Sequence, residues 1–166
     1  MKMDDKDLRI LALMQTNAAM PLAEVAQSVG LSPTPCWRRL QRLQAQGVIE
    51  RQVVLCSAEK LNVAVTVFVA IRTNQHNEAW MKRFVQGASD IAEIVEIYRM
   101  SGDVDYLLKV VVPDIGSYDT VYKQLINVVE LQDVSSSFAM EVLKNTTALP
   151  LNYARLKRRG EPPEGE

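Results

Sequence analysis

At 166 residues and 18.6 kDa, the chain is long enough for one medium domain or two small ones, and its 48% apolar and 23% charged residues exclude a disordered polypeptide. No apolar run reaches the ~18 residues needed to cross a bilayer; the longest, Val63 to Ile71, is broken by Thr66 and is of strand length. The net charge of −1 is unevenly spread: residues 1–60 carry eight Lys/Arg against six Asp/Glu, residues 61–150 seven against eleven, and residues 151–166 four against three. A basic region on an acidic body predicts two domains with different tasks.

The N-terminus opens with Asp4, Asp5 and Asp7 around Lys6, the reverse of a basic leader, so no signal peptide is expected and the cytoplasm is the expected compartment. The same aspartates can cap a first helix whose inward stripe is Ile10, Leu11 and Met14. Asn17 to Pro21 break it. Leu22, Val25, Ala26 and Val29 then recur at i, i+3, i+4 and i+7, a second helix closed by Gly30. Ser32 suits the N-cap of a third helix over 32–46, with Pro33 at its first position and Gly47 beyond its end. Cys36, Leu40 and Leu43 mark its buried face. Cys36 reads as a small core residue, with redox sensing as the minor alternative.

Two short helices joined by Gly30-Leu31-Ser32 have the dimensions of a helix-turn-helix, whose second helix enters the major groove. The outward face of that helix presents Thr34, Arg38, Gln41 and Arg42, with Trp37 and Arg39 on its flanks, and no acid lies between Glu24 and Glu50. Arg and Gln make bidentate contacts to base edges, and Ser32 and the first-turn N–H groups can take a phosphate. These residues predict binding to double-stranded DNA. Trp37 can wedge against the DNA backbone, although packing on the neighbouring helix is the favoured reading. Val48 to Leu55 is β-branched and predicts a strand or wing, followed by a connection at Cys56 to Lys60.

From Val65 to Ile71 the pattern has period two, a strand. Trp80, Phe84 and Ala88 give a helix around 78–88. Ile91 to Met100 alternates again, with Val95 and Ile97 expected on one face and Ile94, Glu96, Tyr98 and Met100 on the other. Ser101-Gly102-Asp103 is a turn signal. Tyr106 to Val112 forms the next strand, and Tyr118, Val121, Tyr122, Leu125 and Ile126 face inward from a second helix. The last strand is expected over 133–143, with Val134, Phe138, Met140 and Val142 opposite Ser135, Ser137 and Glu141. This βαββαβ order predicts a ferredoxin-like sheet with two helices on one face. Its other face is too apolar to stay exposed and implies a homodimer packed sheet to sheet. The fold class is therefore α+β: a winged helix-turn-helix over 1–50, a connecting strand or linker over 51–62, a ferredoxin-like domain over 63–150 and a mobile tail over 151–166.

No catalytic, metal or cofactor site is expected. His76, the only histidine, has no nucleophile or ligand set beside it in sequence, and two cysteines are too few for a cysteine-only zinc site or a disulfide framework. Exchange of His76 for Gln should therefore leave function intact. A constitutive DNA-packaging protein is the competing function, separable from a regulator only by its response to a ligand.

The run Gly30-Leu31-Ser32-Pro33-Thr34-Pro35-Cys36, with Arg38-Arg39-Leu40-Gln41-Arg42-Leu43 and Gly47-Val48-Ile49, resembles the reading head of the leucine-responsive/asparagine (Lrp/AsnC) regulators. Ser101-Gly102-Asp103-Val104-Asp105-Tyr106-Leu107-Leu108-Lys109 is similar to the family's effector-domain signature, and the likeness runs from about Asp4 to Asn152. Cys36-Trp37-Arg38-Arg39, Ser136 to Met140 and Thr146-Thr147 look most like the branch of cysteine-responsive detoxification regulators. Trp37 and Gln44 differ from the aliphatic residue and glutamate commoner in the family, which bears on operator sequence. The resemblance implies a transcription regulator of amino-acid metabolism whose dimers assemble into octamers. It also implies a small amino acid bound between dimers near Gly102 and Asp103. Met100, Ser101, Gly102, Asp103, Asp105 and Tyr106 then become effector-site candidates, with Ser135 and Ser137 adding hydroxyl contacts. Without the resemblance, Gly102-Asp103 reads as a hairpin turn that binds nothing.

Overall fold

The structure is a computed structural model that describes residues 3–154. The contacts divide the described residues into two units, one holding residues 3–54 together with 144–154 and the other residues 55–143.

The first unit contains α1 (Asp5–Thr16), α2 (Leu22–Ser28) and α3 (Pro33–Ala45). Asp4 caps α1: its carboxylate accepts from the Asp7 N–H at 2.9 Å, and the Asp7 carboxylate accepts in return from the Asp4 N–H at 3.0 Å. Helices α2 and α3 end in the same way. Gly30 and Gly47 take φ of +66° and +69°, and the N–H groups of Leu31 and Val48 reach back to the carbonyls of Ala26 and Leu43. These are Schellman closures, for which an L side chain at the glycine would be strained. Lys6 donates to the Gly30 carbonyl at 2.9 Å, covering the α2 terminus with a positive charge. Ile10, Val25, Ala26, Val29, Cys36, Leu40 and Leu43 form the small core.

Three features differ from the sequence expectation. Val48 to Leu55 forms no strand, and Val53, Val54 and Leu55 stand exposed. A β-branched run becomes a strand only when another strand takes its N–H and C=O groups, and none pairs with it among the described residues. The expected second domain reaches 150, yet the chain rejoins the first unit from Lys144: Gln15 exchanges two hydrogen bonds with the Leu149 backbone, and Leu151 packs on the small core. Residues 151–153, expected to be mobile, form a 3₁₀ turn, while the tail from Arg155 onward lies outside the described residues.

The second unit runs β1 (Val65–Arg72), α4 (Glu78–Ser89), β2 (Ile94–Arg99), β3 (Tyr106–Val112), α5 (Ile115–Ile126) and β4 (Asp133–Phe138). Its four strands are all paired antiparallel in the order β2-β3-β1-β4, the ferredoxin-like arrangement. One sheet face carries Val67, Val69, Ile71, Tyr106, Leu108, Val110 and Val112 against both helices. Trp80 stacks on Phe84 at 5.2 Å, and Phe84 meets Tyr106 at 4.8 Å. At the far side, the Tyr118 hydroxyl hydrogen-bonds Ser136 while its ring meets Phe138 edge-on. Burial raises the Tyr118 phenol above its ordinary range against the opposing pull of Ser136.

Strand β2 corrects the expected alternation. Ile94 pairs with Val110 but Glu96 with Lys109, so Val95 is bulged out. The extra residue resets the parity and puts Ile94 and Ile97 together on the core side, with Glu96 and Tyr98 opposite. Strand β4 likewise stops at Phe138, and Met140 and Val142 lie beyond it, exposed. Phe84→Ala should destabilise the second unit by about 3–5 kcal/mol, read as a lower denaturant midpoint at unchanged slope.

Candidate DNA-reading helix and effector turn

Helix α3 follows α2 after the Gly30 closure, the geometry of a helix-turn-helix. Ser32 occupies its N-cap without a side-chain cap hydrogen bond. Pro33 and Pro35 remove two donors from the first turn, and the Cys36 N–H turns back to the Ser32 carbonyl at 3.3 Å. The expected array of first-turn donors thus shrinks to the Thr34 N–H and the Ser32 hydroxyl. Cys36 is wholly buried, and burial pushes its thiol up against the smaller opposing effect of Arg39, so it is a core residue unsuited to redox chemistry.

Thr34, Trp37, Arg38 and Gln41 stand exposed along one stripe of α3. Trp37, favoured above as a packing residue, is 52% exposed. The Gln41 amide donates to Gln44 at 3.0 Å, which orients it. Arg39 and Arg42 behave differently from a free basic face. The Arg39 guanidinium lies 2.6 Å from Asp4 and 2.8 Å from Asp7, and that of Arg42 lies 2.6 Å from Asp7. Asp7 is 1% exposed. Burial would raise the Asp4 carboxyl, but the hydrogen bond from Arg39, that from the Asp7 N–H and the Arg39 charge together hold it below its ordinary value. The aspartates lie more than thirty residues from these arginines, too far for helical spacing to pair them. The one sequence signal is the Asp-x-x-Asp start of α1.

The second candidate region is the turn between β2 and β3. The Met100 N–H donates to the Asp105 carbonyl at 2.8 Å, and Gly102 takes φ of +106°. Met100, Ser101, Gly102 and Asp103 are exposed. Asp105 is instead a brace: its carboxylate accepts from the Thr73 N–H at 2.8 Å, its backbone N–H donates to the Ile71 carbonyl, and His76 Nδ1 lies 3.9 Å away. Thr73 is buried, so its N–H needs this acceptor. Tyr106, expected to touch the effector, is 6% exposed in the aromatic core with Phe84, because its strand parity turns it toward the helices. Ser135 and Ser137 sit on the open sheet face opposite Ala70 and Phe68. Ser137 is three residue rows in from the turn and two strands across, roughly 10 Å each way; the fold does not bring it to Gly102. On that face Lys109 pairs with Glu96 at 2.9 Å. The Tyr98 hydroxyl and then Lys109 hold the Glu96 carboxyl below its ordinary value.

Two family models match this layout: an AsnC-type helix-turn-helix domain over residues 3–44 and an Lrp/AsnC ligand binding domain over residues 66–149. The chain belongs to the Lrp/AsnC family of transcription regulators. As an Lrp/AsnC protein, it is 45% identical over 150 residues to the glutamate uptake regulatory protein of Zymomonas mobilis, covering 90% of this chain and 92% of that one. An AsnC family transcriptional regulator from Agrobacterium tumefaciens superposes with a TM-score of 0.89 at 54% identity, over 91% and 99% of the two chains. The regulator NMB0573 of Neisseria meningitidis, solved as its L-Met complex, superposes at 0.86 with 30% identity over 91% and 98%. Among the described residues, no helix is long and apolar enough to cross a membrane.

A carboxyl held below its unfolded value stabilises the fold fully above that value and loses the contribution as pH falls through the depressed one. The first unit should therefore lose stability on acidification below the ordinary aspartate range, and Asp4→Asn should flatten that dependence. Circular-dichroism melts across an acid series of the two proteins check this.

Proposed function

We propose that this Lrp/AsnC protein is a cytoplasmic, operator-binding regulator whose DNA binding or assembly responds to a small amino acid. The observation that carries it is the exposed Thr34–Trp37–Arg38–Gln41 stripe on the second helix of a helix-turn-helix, in one chain with a ligand-binding domain. Arg38 suits guanine edges or phosphate, Gln41 suits adenine, and Trp37 suits a thymine methyl. Ser32 and the Thr34 N–H are left for a phosphate oxygen.

In the effector domain, the exposed Met100-Ser101-Gly102-Asp103 turn offers backbone donors to a ligand carboxylate and the Asp103 carboxylate to its ammonium. Asp105 and Tyr106 support the turn from behind. Ser135 and Ser137 belong on this reading to a subunit contact with Phe68, Tyr98 and Leu107, where a second copy covers the open sheet face to form a homodimer. Further assembly to an octamer rests on the family likeness. The L-Met complex of the Neisseria relative supports an amino acid as the ligand class.

The test is binding to the DNA upstream of its own gene at fixed salt, with and without L-cysteine, L-methionine, L-glutamate and L-leucine. A shift in affinity or in sedimentation with one amino acid is the expected outcome. Tight binding that none of them alters would replace the regulator with a constitutive packaging protein. Arg38→Ala should weaken specific binding by about 1–3 kcal/mol with the dimer intact. Asp103→Asn should blunt the ligand response at unchanged melting temperature, whereas Asp105→Ala should lower that temperature by stranding the Thr73 N–H.

A further inference from the structure

We propose that the buried Asp7 carboxylate positions the reading helix, and that Arg39 and Arg42 are its structural partners rather than DNA contacts. The inference rests on the DNA-reading function above and divides the arginines of α3 by role.

Asp7 sits in the first turn of α1, sealed from solvent, with three donors on its two oxygens. Arg39 Nη1 is 2.8 Å from Oδ1, while Arg42 Nη2 at 2.6 Å and the Asp4 N–H at 3.0 Å share Oδ2. The same Arg39 nitrogen bridges to Asp4 at 2.6 Å. Arg39 and Arg42 stand at i and i+3 on α3, and Asp4 and Asp7 at i and i+3 at the start of α1, so the pairs meet as two short rows. A sealed carboxylate that lost these guanidinium groups would stand uncompensated away from water, which opposes any release of the arginines to a phosphate. Arg42 lies only about 40° around α3 from Arg38. By helical angle it belongs beside the reading stripe, and the Asp7 contact draws its guanidinium across to α1. Arg38, which takes part in no such pair among the described residues, keeps its charge on the exposed stripe with Thr34, Trp37 and Gln41. The clamp thus fixes both the rotation of α3 about its own axis and its distance from α1, the two variables that decide which side chains reach base edges.

Phosphate contact and positioning have different signatures in salt. A lost phosphate contact lowers the slope of log affinity against log salt by about 0.9 per contact and weakens all sequences alike; a lost positioning contact leaves the slope and weakens only the specific site. The probes are a duplex selected by the wild-type protein from a random-sequence library and a shuffled duplex of equal length. Arg42→Gln is the informative variant, since it opens the rim of the clamp and keeps the Arg39–Asp7 pair; Asp7→Asn risks unfolding the unit. The expected result is a loss of roughly ten-fold or more on the selected duplex, with the salt slope and the shuffled duplex unchanged. In the absence of DNA, a thermal double-mutant cycle of Arg42→Gln with Asp4→Asn should show coupling through the shared Arg39–Asp7 centre. A slope reduced by about 0.9 per protomer, with both duplexes weakened together, would make Arg42 a phosphate contact and overturn the proposal. So would wild-type affinity on both duplexes. If the wild-type protein selects no duplex, the DNA-reading function falls and this role with it; a slope change confined to Arg42→Gln removes this role alone.

Discussion

An ionised carboxylate withdrawn from water must be compensated within the protein, and at Asp7 the compensation comes from two arginines of another helix. Much of the first unit is arranged around that requirement. The capping box places Asp4 and Asp7 side by side at the first turn, so one helix start also furnishes the acceptors for α3. Such a small helical unit buries little apolar surface, and its core has Cys36 where a larger side chain would add more. A directional, charge-assisted contact then fixes orientation better than a few aliphatic residues can, since apolar contacts tolerate rotation of a helix and hydrogen bonds do not.

The second unit solves a different problem. Its strands are apolar on the helix side and mixed on the other, where Phe68 and Tyr98 lie beside a Glu96–Lys109 ion pair. A face of that composition is neither a core nor an ordinary solvated surface. At the end of the sheet, Asp105 ties the departing β1 strand to the β2–β3 turn, so Gly102 is held on a stiff base while its own neighbours remain open to solvent. Rigid support beneath an exposed turn is a common arrangement in ligand sites, because the binding groups lose little further freedom on contact.

The legibility of these features in the sequence followed the range of the interactions involved. Helices α1, α2 and α3 could be read from caps, glycines and the spacing of Ile10, Val25, Leu40 and Leu43, all of which act within a few residues. Strand β1 could be read because Val67, Val69 and Ile71 alternate without interruption. The facing of β2 could not: Ile94 and Ile97 have opposite parity in sequence and share a face only because Val95 is bulged. The role of Arg42 was hidden for a similar reason, its partner lying on another helix far along the chain. The family resemblance made Tyr106 an effector-site candidate, but strand parity places its ring among Trp80 and Phe84. The run of Val53, Val54 and Leu55 carries strong strand preference and still forms none, since that preference is realised only when a neighbouring strand is present.

The bulge at Val95 lies on β2, the outermost strand on one side of the sheet, while β4 on the other side is only six residues long and rich in serine. An even, exposed strand is a template on which further chains can stack into fibrils, and nature blunts such templates by kinking or shortening them. Both margins of this sheet are blunted in that way. An open, partly apolar sheet face can therefore stand beside margins that do not invite sideways growth into amyloid.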